Sequence, residues 1–303
     1  RARAAAGFVA AGARPAHGRG LRRAGRAAGG DQGGETIRKE ILISARQRPI
    51  RIALLEDGAL AEVEYEEHDS ERLVGNVYKG TAKDVLSGLA AFVDVGLGEG
   101  ENVFLSAKEI NGVLRKKHAL RRGEPFPINK VVRPGQKLLV QVKRAGIGDK
   151  NAQGTTKISL AGRYWIFMPN DSRLGVSRRI GTQRERARLK RLAKAFKRPE
   201  EGLIARTAAD GAPDDQLERD FNFLLGTWKG ILDDAARAHA PALLYEGPGF
   251  VRRFLRDRLL DDIERIHIGH LGTYHDALNF LDYLHLAEYK ARVDPDADPA
   301  PLF

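Results

Sequence analysis

The sequence predicts an α+β multidomain protein, with a small closed β-barrel in its N-terminal half and helices gathered in its C-terminal half. Three observations lead there. The chain has 303 residues, enough for two or three cores at roughly 100–200 residues per domain. Between Leu73 and Val142 short apolar runs are broken by glycines, a spacing that suits a barrel better than a parallel sheet. From Gln183 onward the apolar period becomes that of amphipathic helices.

Charge and composition narrow the function classes. Lys and Arg number 51 against 40 Asp and Glu, and there is no cysteine, which removes disulfides, thiolate nucleophiles, zinc ribbons and iron–sulfur clusters. Residues 1–30 hold seven Arg and no acid, so the rest of the chain is only mildly basic. Their Ala, Gly and Arg composition cannot bury enough apolar surface to offset ordering, so residues 1–36 are expected to be a disordered basic tail. It reads as a non-specific RNA-touching tail, sequence outside the natural frame, or a transit-peptide remnant; the last would place the protein in a plastid rather than the cytoplasm. Residue 1 is Arg and Met168 is the only Met, so the natural start is expected to be missing or processed. No apolar run approaches the roughly 18–20 residues that span a bilayer.

The elements follow in order. Ile41-Leu42-Ile43 and Ile50, Ile52 and Leu54 signal strands, and Asp57-Gly58 supplies a hairpin turn into 59–66. Residues 37–72 are therefore a first, antiparallel piece. Residues 73–156 are the barrel, with strands at 74–83, 89–95, 102–105 and 137–143, and with 111–133 as a long basic loop carrying Lys116, Lys117, Arg121 and Arg122. A strand over 157–168 opens the region 157–238. Its helix 183–197 aligns Leu189, Leu192, Ala193 and Phe196, and its helix 214–238 aligns Leu217, Phe221, Leu224, Leu225, Trp228, Ile231 and Leu232. A strand at 202–207 lies between them. Residues 239–303 add helices near 250–260 and 274–284, the second capped by Thr273.

Tyr78, Phe92 and Phe104 fall on barrel strands near Lys79 and Lys108. A ring on a curved sheet stacks on an unpaired base for about 1–3 kcal/mol while lysines follow the phosphates; the same rings could instead fill the core. Glu62, Glu64 and Glu66 alternate on one strand face and read as the solvent side of a hairpin. Asp257, Asp261, Asp262 and Glu264 are interleaved with Arg252, Arg253, Arg256 and Arg258, a spacing that favours i,i+4 ion pairs over a metal site. His267, His270, His275 and His285 complete no ligand set and read as loop or surface residues. No catalytic or metal-ligating residue is assigned.

Several motifs in register carry a resemblance: Gly75-Asn-Val-Tyr-Lys-Gly80, Ala90-Ala-Phe-Val-Asp94, Gly148-Asp-Lys150, Ile158-Ser-Leu-Ala-Gly162, Phe167-Met-Pro-Asn170, Val176-Ser-Arg-Arg-Ile180, Gly202-Leu-Ile-Ala-Arg-Thr-Ala208 and Pro301-Leu-Phe303. Together they resemble the ribonuclease E/G family over about 41–303. The resemblance implies an S1-motif OB-fold barrel inserted between the two pieces of a ribonuclease-H-like subdomain, plus an α/β 5′-sensor region. Phe92, Phe104 and Lys150 match the S1-motif residues that hold RNA, with Tyr78 and Lys79 beside them. Gly162, Ile166, Arg178, Arg206 and Thr207 match segments that sense a 5′-monophosphate. The local sequence alone leaves Arg178-Arg179 open as a solvated turn.

The family's Mg²⁺-binding aspartates and the cysteines that link subunits through zinc lie beyond the segment matched by Pro301-Leu-Phe303. The resemblance thus implies the N-terminal portion of an endoribonuclease that in full length is a homo-oligomer cutting single-stranded RNA with Mg²⁺. This chain is expected to bind RNA without cutting it. The alternative is a non-catalytic S1-motif RNA-binding protein.

Overall fold

Strand β1 (Lys39–Ser44) buries Ile41 and Ile43 completely and pairs antiparallel with β2 (Ile50–Glu56). The turn Asp57-Gly58 places both residues at positive φ, which Asp and Gly tolerate, and returns the chain as β3 (Ala59–Glu66). The computed structural model describes residues 37–46, 49–66, 72–86, 88–98, 100–117, 127–148, 150–259, 262–284 and 286–295. The tail expected over 1–36 and the Pro301–Phe303 segment lie outside them, as do Arg121, Arg122, Asp261 and His285.

Five strands close the barrel: β4 (Val77–Leu86), β5 (Ala90–Asp94), β6 (Asn102–Ser106), β7 (Lys137–Arg144) and β8 (Gln153–Thr155). Their order is β4-β5-β6-β8-β7, and β4 pairs back onto β7. Closure needs Gly154, because a Cβ there would lie 2.6 Å from a Val140 methyl in the core. The expected loop at 111–133 is corrected in part. It begins with a short helix α1 (Gly112–Lys117) and ends in a 3₁₀ turn (Ile128–Lys130) that buries Ile128, Val131 and Val132 in the barrel core.

The strand expected over 157–168 is two strands, β9 (Leu160–Ala161) and β10 (Trp165–Met168), which pair antiparallel around a turn at 162–164. They join β11 (Leu174–Val176) and β12 (Gly202–Ala205) in a sheet ordered β11-β12-β10-β9. Helix α2 (Gln183–Phe196), capped by the Thr182 hydroxyl, and helix α3 (Asp214–Arg237) cover it. The shared core holds Trp165, Phe167, Leu189, Leu203, Leu217 and Phe221. Leu232, expected on the buried stripe of α3, is exposed, because the stripe runs through Leu224, Trp228 and Ile231 and leaves Leu232 beside it.

β13 (Ala242–Tyr245) pairs antiparallel with β4 at the edge of the barrel sheet, while Leu244 and Tyr245 pack against the core beneath α2 and α3. After α4 (Phe250–Arg258), strand β14 (Ile263–Ile268) pairs in parallel with β1. Helix α5 (Leu271–Tyr283) and β15 (Val293–Asp294) follow. The cap of α5 is corrected: His270 Nδ1, not the Thr273 side chain, accepts the Thr273 N–H at 3.2 Å. One sheet, β15-β14-β1-β2-β3, is thus assembled from the chain before the barrel and the chain after α4. No helix among the described residues is long and apolar enough to cross a membrane.

Candidate nucleic-acid interface

The turn at 162–164 is built around one acid. Asp220 on α3 accepts the backbone N–H groups of Arg163, Tyr164 and Trp165, each at 2.9 Å. Burial raises the Asp220 carboxyl above its ordinary range, while these three bonds and the charge of Arg206 pull it down. Gly162 is required beside it, because a Cβ there would collide with the Asp220 carboxylate. Arg163 reaches the other way and caps the end of α4, donating to the carbonyls of Arg256 at 3.0 Å and Leu259.

That turn fixes Arg206. Its Nη1 donates to the Gly162 carbonyl at 2.6 Å, its Nη2 pairs with Asp257, and its backbone N–H donates to the Tyr164 carbonyl at 2.8 Å. Asp257 also accepts from Arg256 Nε at 2.7 Å. Burial lowers Arg206 from its ordinary value, with the charge of Asp257 opposing; an arginine stays charged at neutral pH regardless. Burial pushes Asp257 up, but the hydrogen bonds and charges of Arg256 and Arg206 outweigh it and hold the carboxyl below its ordinary range.

Arg206 and Thr207 stand at the end of β12 in a cleft of about 710 Å³ between the β9–β12 sheet and α4. Arg179, Arg206, Arg253, Arg256 and Arg258 line it against two carboxylates, Glu64 and Asp257. Ile166 and Phe254 form apolar wall, and the hydroxyls of Ser177 and Thr207 lie 2.9 Å apart at the rim. Planar guanidiniums with adjacent hydroxyls and a backbone turn suit a phosphate monoester, which accepts several charge-assisted bonds.

The barrel offers a second feature. Phe92 on β5 and Phe104 on β6 are register partners on its outer face, half-buried, with ring centroids 5.7 Å apart and an edge-to-face angle of 64°. Phe104 pairs in turn with Gln153 on β8, and Lys150, just before that strand, is exposed.

Of the residues singled out in the sequence, Gly162, Ile166, Arg206 and Thr207 converge on the cleft and its turn, whereas Phe92, Phe104 and Lys150 gather on the barrel. Three do not fit. Tyr78 is 5% exposed and faces the barrel core, where its hydroxyl accepts from Asn76 at 3.1 Å, so it presents no ring to a base. Lys79 is held by structure, its Nζ donating to the carbonyls of Ala235 at 2.7 Å and Ala238 at 2.9 Å at the end of α3. Arg178 is exposed and outside the cleft lining; its neighbour Arg179 lines it instead.

Two surface readings also change. Glu62, Glu64 and Glu66 face α4 rather than solvent: Glu62 and Glu64 accept from Arg258 and Glu66 is 2% exposed, whereas Val63 and Tyr65 on the opposite face are exposed. Apart from the neighbouring pair Arg256–Asp257, the acids and arginines of 252–264 pair across elements rather than at i,i+4, as Arg206–Asp257, Arg252–Asp276, Arg258–Glu62 and Lys39–Asp262.

The sequence reasoning missed Asp220, although an acid between Leu217 and Leu224 on the apolar stripe of α3 was a readable signal. It also missed Arg253 and Arg256 as cleft residues; only the folding of α4 onto β12 brings them there. Among the described residues no group of three or more His, Asp or Glu is arranged to hold a metal ion. These side chains do not fit a Mg²⁺ site.

Comparison with known proteins adds an independent finding. Residues 159–303 match the family model described as the ribonuclease E/G family. The chain is 36% identical over 246 residues to ribonuclease G of Haemophilus influenzae, covering 80% of this chain and 50% of that protein. It is 33% identical over 272 residues to ribonuclease G of Escherichia coli strain K12, covering 87% and 54%. With ribonuclease E of Buchnera aphidicola the identity is 35% over 270 residues, 88% of this chain and 29% of that protein. The chain therefore spans about half the length of the ribonuclease G proteins it matches.

Proposed function

The chain belongs to the ribonuclease E/G family, and from that premise we propose that it is the RNA-recognition portion of an endoribonuclease that reads the 5′ end of single-stranded RNA. In the whole enzyme, RNA phosphodiesters would be hydrolysed with Mg²⁺ during RNA processing and decay, by residues other than those described. In this reading the barrel is the S1-motif domain and the β15-β14-β1-β2-β3 sheet, split by it in sequence, is the ribonuclease-H-like subdomain.

One observation carries the proposal: Arg206 and Thr207, at the end of β12, stand in a cleft with five guanidiniums, and Arg206 is oriented by the Gly162 carbonyl. A 5′-monophosphate has the charge and the acceptors this cleft lacks. The Phe92–Phe104 pair and Lys150 would hold bases and backbone farther along the RNA.

The test compares a short single-stranded RNA bearing a 5′-monophosphate with its 5′-hydroxyl twin. The monophosphate should bind more tightly, and Arg206→Ala should remove the difference while leaving 5′-hydroxyl binding in place. Equal affinity of both RNAs for the wild type overturns the reading. Inclusion of Mg²⁺ in the same tubes reads any cut products.

A further inference from the structure

Resting on the reading of the Arg206 cleft as the seat of an RNA 5′ end, we infer that a second basic cleft binds the sugar–phosphate backbone of the nucleotides that follow. This cleft, about 480 Å³, lies against β7 and β8 and beneath α4. Lys143, Lys157 and Arg173 line it, together with Arg253 and Arg256, against a single carboxylate, Glu109.

Three features give it an RNA backbone as occupant. First, Arg253 and Arg256 line both clefts, so the two adjoin at these side chains. Second, the only acid in the lining is already committed. Burial raises Glu109, but the hydrogen bonds of Lys143, at 2.8 Å, and Thr155 and the charges of Lys143 and Lys157 outweigh it and hold the carboxyl below its ordinary range. Lys143 is that acid's partner, and Arg173, Arg253 and Arg256 pair with Asp171, Glu66 and Asp257 outside the lining, so what the cleft offers is a string of cations spaced along its length, which suits a polyanion rather than a single small anion. Third, the cleft leads toward the rings. Thr155 in its wall sits on β8, two residues from Gln153, the register partner of Phe104. The Arg206 cleft, the second cleft and the Phe92–Phe104 pair thus form one succession: a phosphate seat, a basic tract and a stacking platform. No aromatic ring other than Tyr245 lines the middle station, so it would read backbone rather than base.

The experiment uses the whole chain and 5′-monophosphorylated single-stranded RNAs of two and eight nucleotides, each titrated across a salt series against wild type and the triple variant K143Q/K157Q/R173Q. Each lost phosphate contact flattens the log–log salt dependence by about 0.7 and weakens binding roughly fivefold at 0.1 M salt, so three contacts amount to roughly 100-fold. The expected result is that loss for the octanucleotide and little change for the dinucleotide. The ratio of 5′-monophosphate to 5′-hydroxyl affinity should stay as in the wild type. An octanucleotide affinity and salt slope equal to wild type overturns the inference.

A second measurement needs no variant: a photoreactive uridine at the third position of the octanucleotide should crosslink to wild-type peptides within 141–173, and crosslinks confined to other peptides overturn the inference. A wild-type affinity ratio of one would sink the 5′-end reading separately, while the triple variant's loss would still support the tract.

Discussion

Asp220 provides the most demanding test of how the site is built. Its carboxylate accepts three backbone N–H groups, and two of these belong to residues no more than 7% exposed, Arg163 and Trp165. Asp220→Ala orphans these two donors at about 1–3 kcal/mol each, and the half-buried Tyr164 N–H can recover water. Relief of the carboxylate's own burial cost offsets part of this. The net expectation is a loss of about 3 kcal/mol, or roughly 6–12 °C in Tm for a unit of this size. Asp220→Asn keeps one accepting oxygen and should lose about half as much. Function should fall with geometry: once the 162–164 turn loosens, the Gly162 carbonyl no longer holds Arg206. The assay pairs denaturant unfolding with affinities for 5′-monophosphate and 5′-hydroxyl RNA. The expected pattern is a collapsed preference for the monophosphate with 5′-hydroxyl binding at the barrel retained. An alanine variant that loses under 1 kcal/mol and keeps its preference would refute the argument that this acid builds the turn.

Three further outcomes follow from the same contacts. Asp257→Asn removes an anion from Arg206 and Arg256 and should raise 5′-monophosphate affinity several-fold by calorimetry; a fall would mean that Asp257 orients the fork. Because the folded Asp257 carboxyl is depressed, its stabilisation is present above its ordinary value of 3.8 and is lost as pH falls through the lower folded value, so wild type and D257N should converge in stability toward strongly acidic pH. Phe92→Ala and Phe104→Ala should each weaken single-strand binding by about 1–3 kcal/mol in fluorescence titrations, with far-UV circular dichroism unchanged, since both rings are half-exposed. Lys79→Met should lower stability by about 1 kcal/mol through lost bonds to the α3 carbonyls and leave RNA affinity as it is; a large affinity loss would return Lys79 to the RNA surface.

What the sequence disclosed divides along a physical line. Local periodicity revealed β5, β6, β7, the first hairpin and helices α2 and α3 to within a residue or two, because burial on one face dictates those patterns, but it set β4 three residues early at each end and missed the three-residue β8. It could not show that the chain between Lys157 and Met168 breaks at Gly162, since the turn is held by an acid 58 residues downstream. Nor could strand propensity decide which side of β3 is wet. Alternation fixed that the glutamates share a face, and only the packing of α4, with Arg258 reaching Glu62 and Glu64, made that face the covered one. Tyr78 and Lys79 illustrate the same limit in one dipeptide: alternation sends them to opposite faces, and both faces are occupied, one by the core and one by the end of α3. The motif match found Arg206 and Thr207, yet Arg179 was distinguished from Arg178 only by where the turn after β11 points them.

The parallel pairing of β1 with β14 ties these observations together. α4 runs directly into β14, so anchoring that strand beside β1 sets where Arg253, Arg256 and Asp257 stand relative to β12. Arg163 makes the joint rigid from the other side by capping α4 from the very turn that orients Arg206. The cleft therefore has no local precursor: two of its cations, Arg179 and Arg206, follow β11 and β12, and three, Arg253, Arg256 and Arg258, stand on α4, so the long-range sheet is needed to bring the two sets together. Concentrating five guanidiniums in one place is unfavourable in isolation, and here it is sustained by Asp257, Glu64 and the two carbonyls of Ala161 and Gly162, which accept from Arg256 and Arg206. An incoming phosphate would meet cations already held in position, so little side-chain entropy remains to be lost on binding. On the proposed function, selectivity for a terminal phosphate over an internal one would rest on the extra charge and the extra accepting oxygen that only a monoester brings.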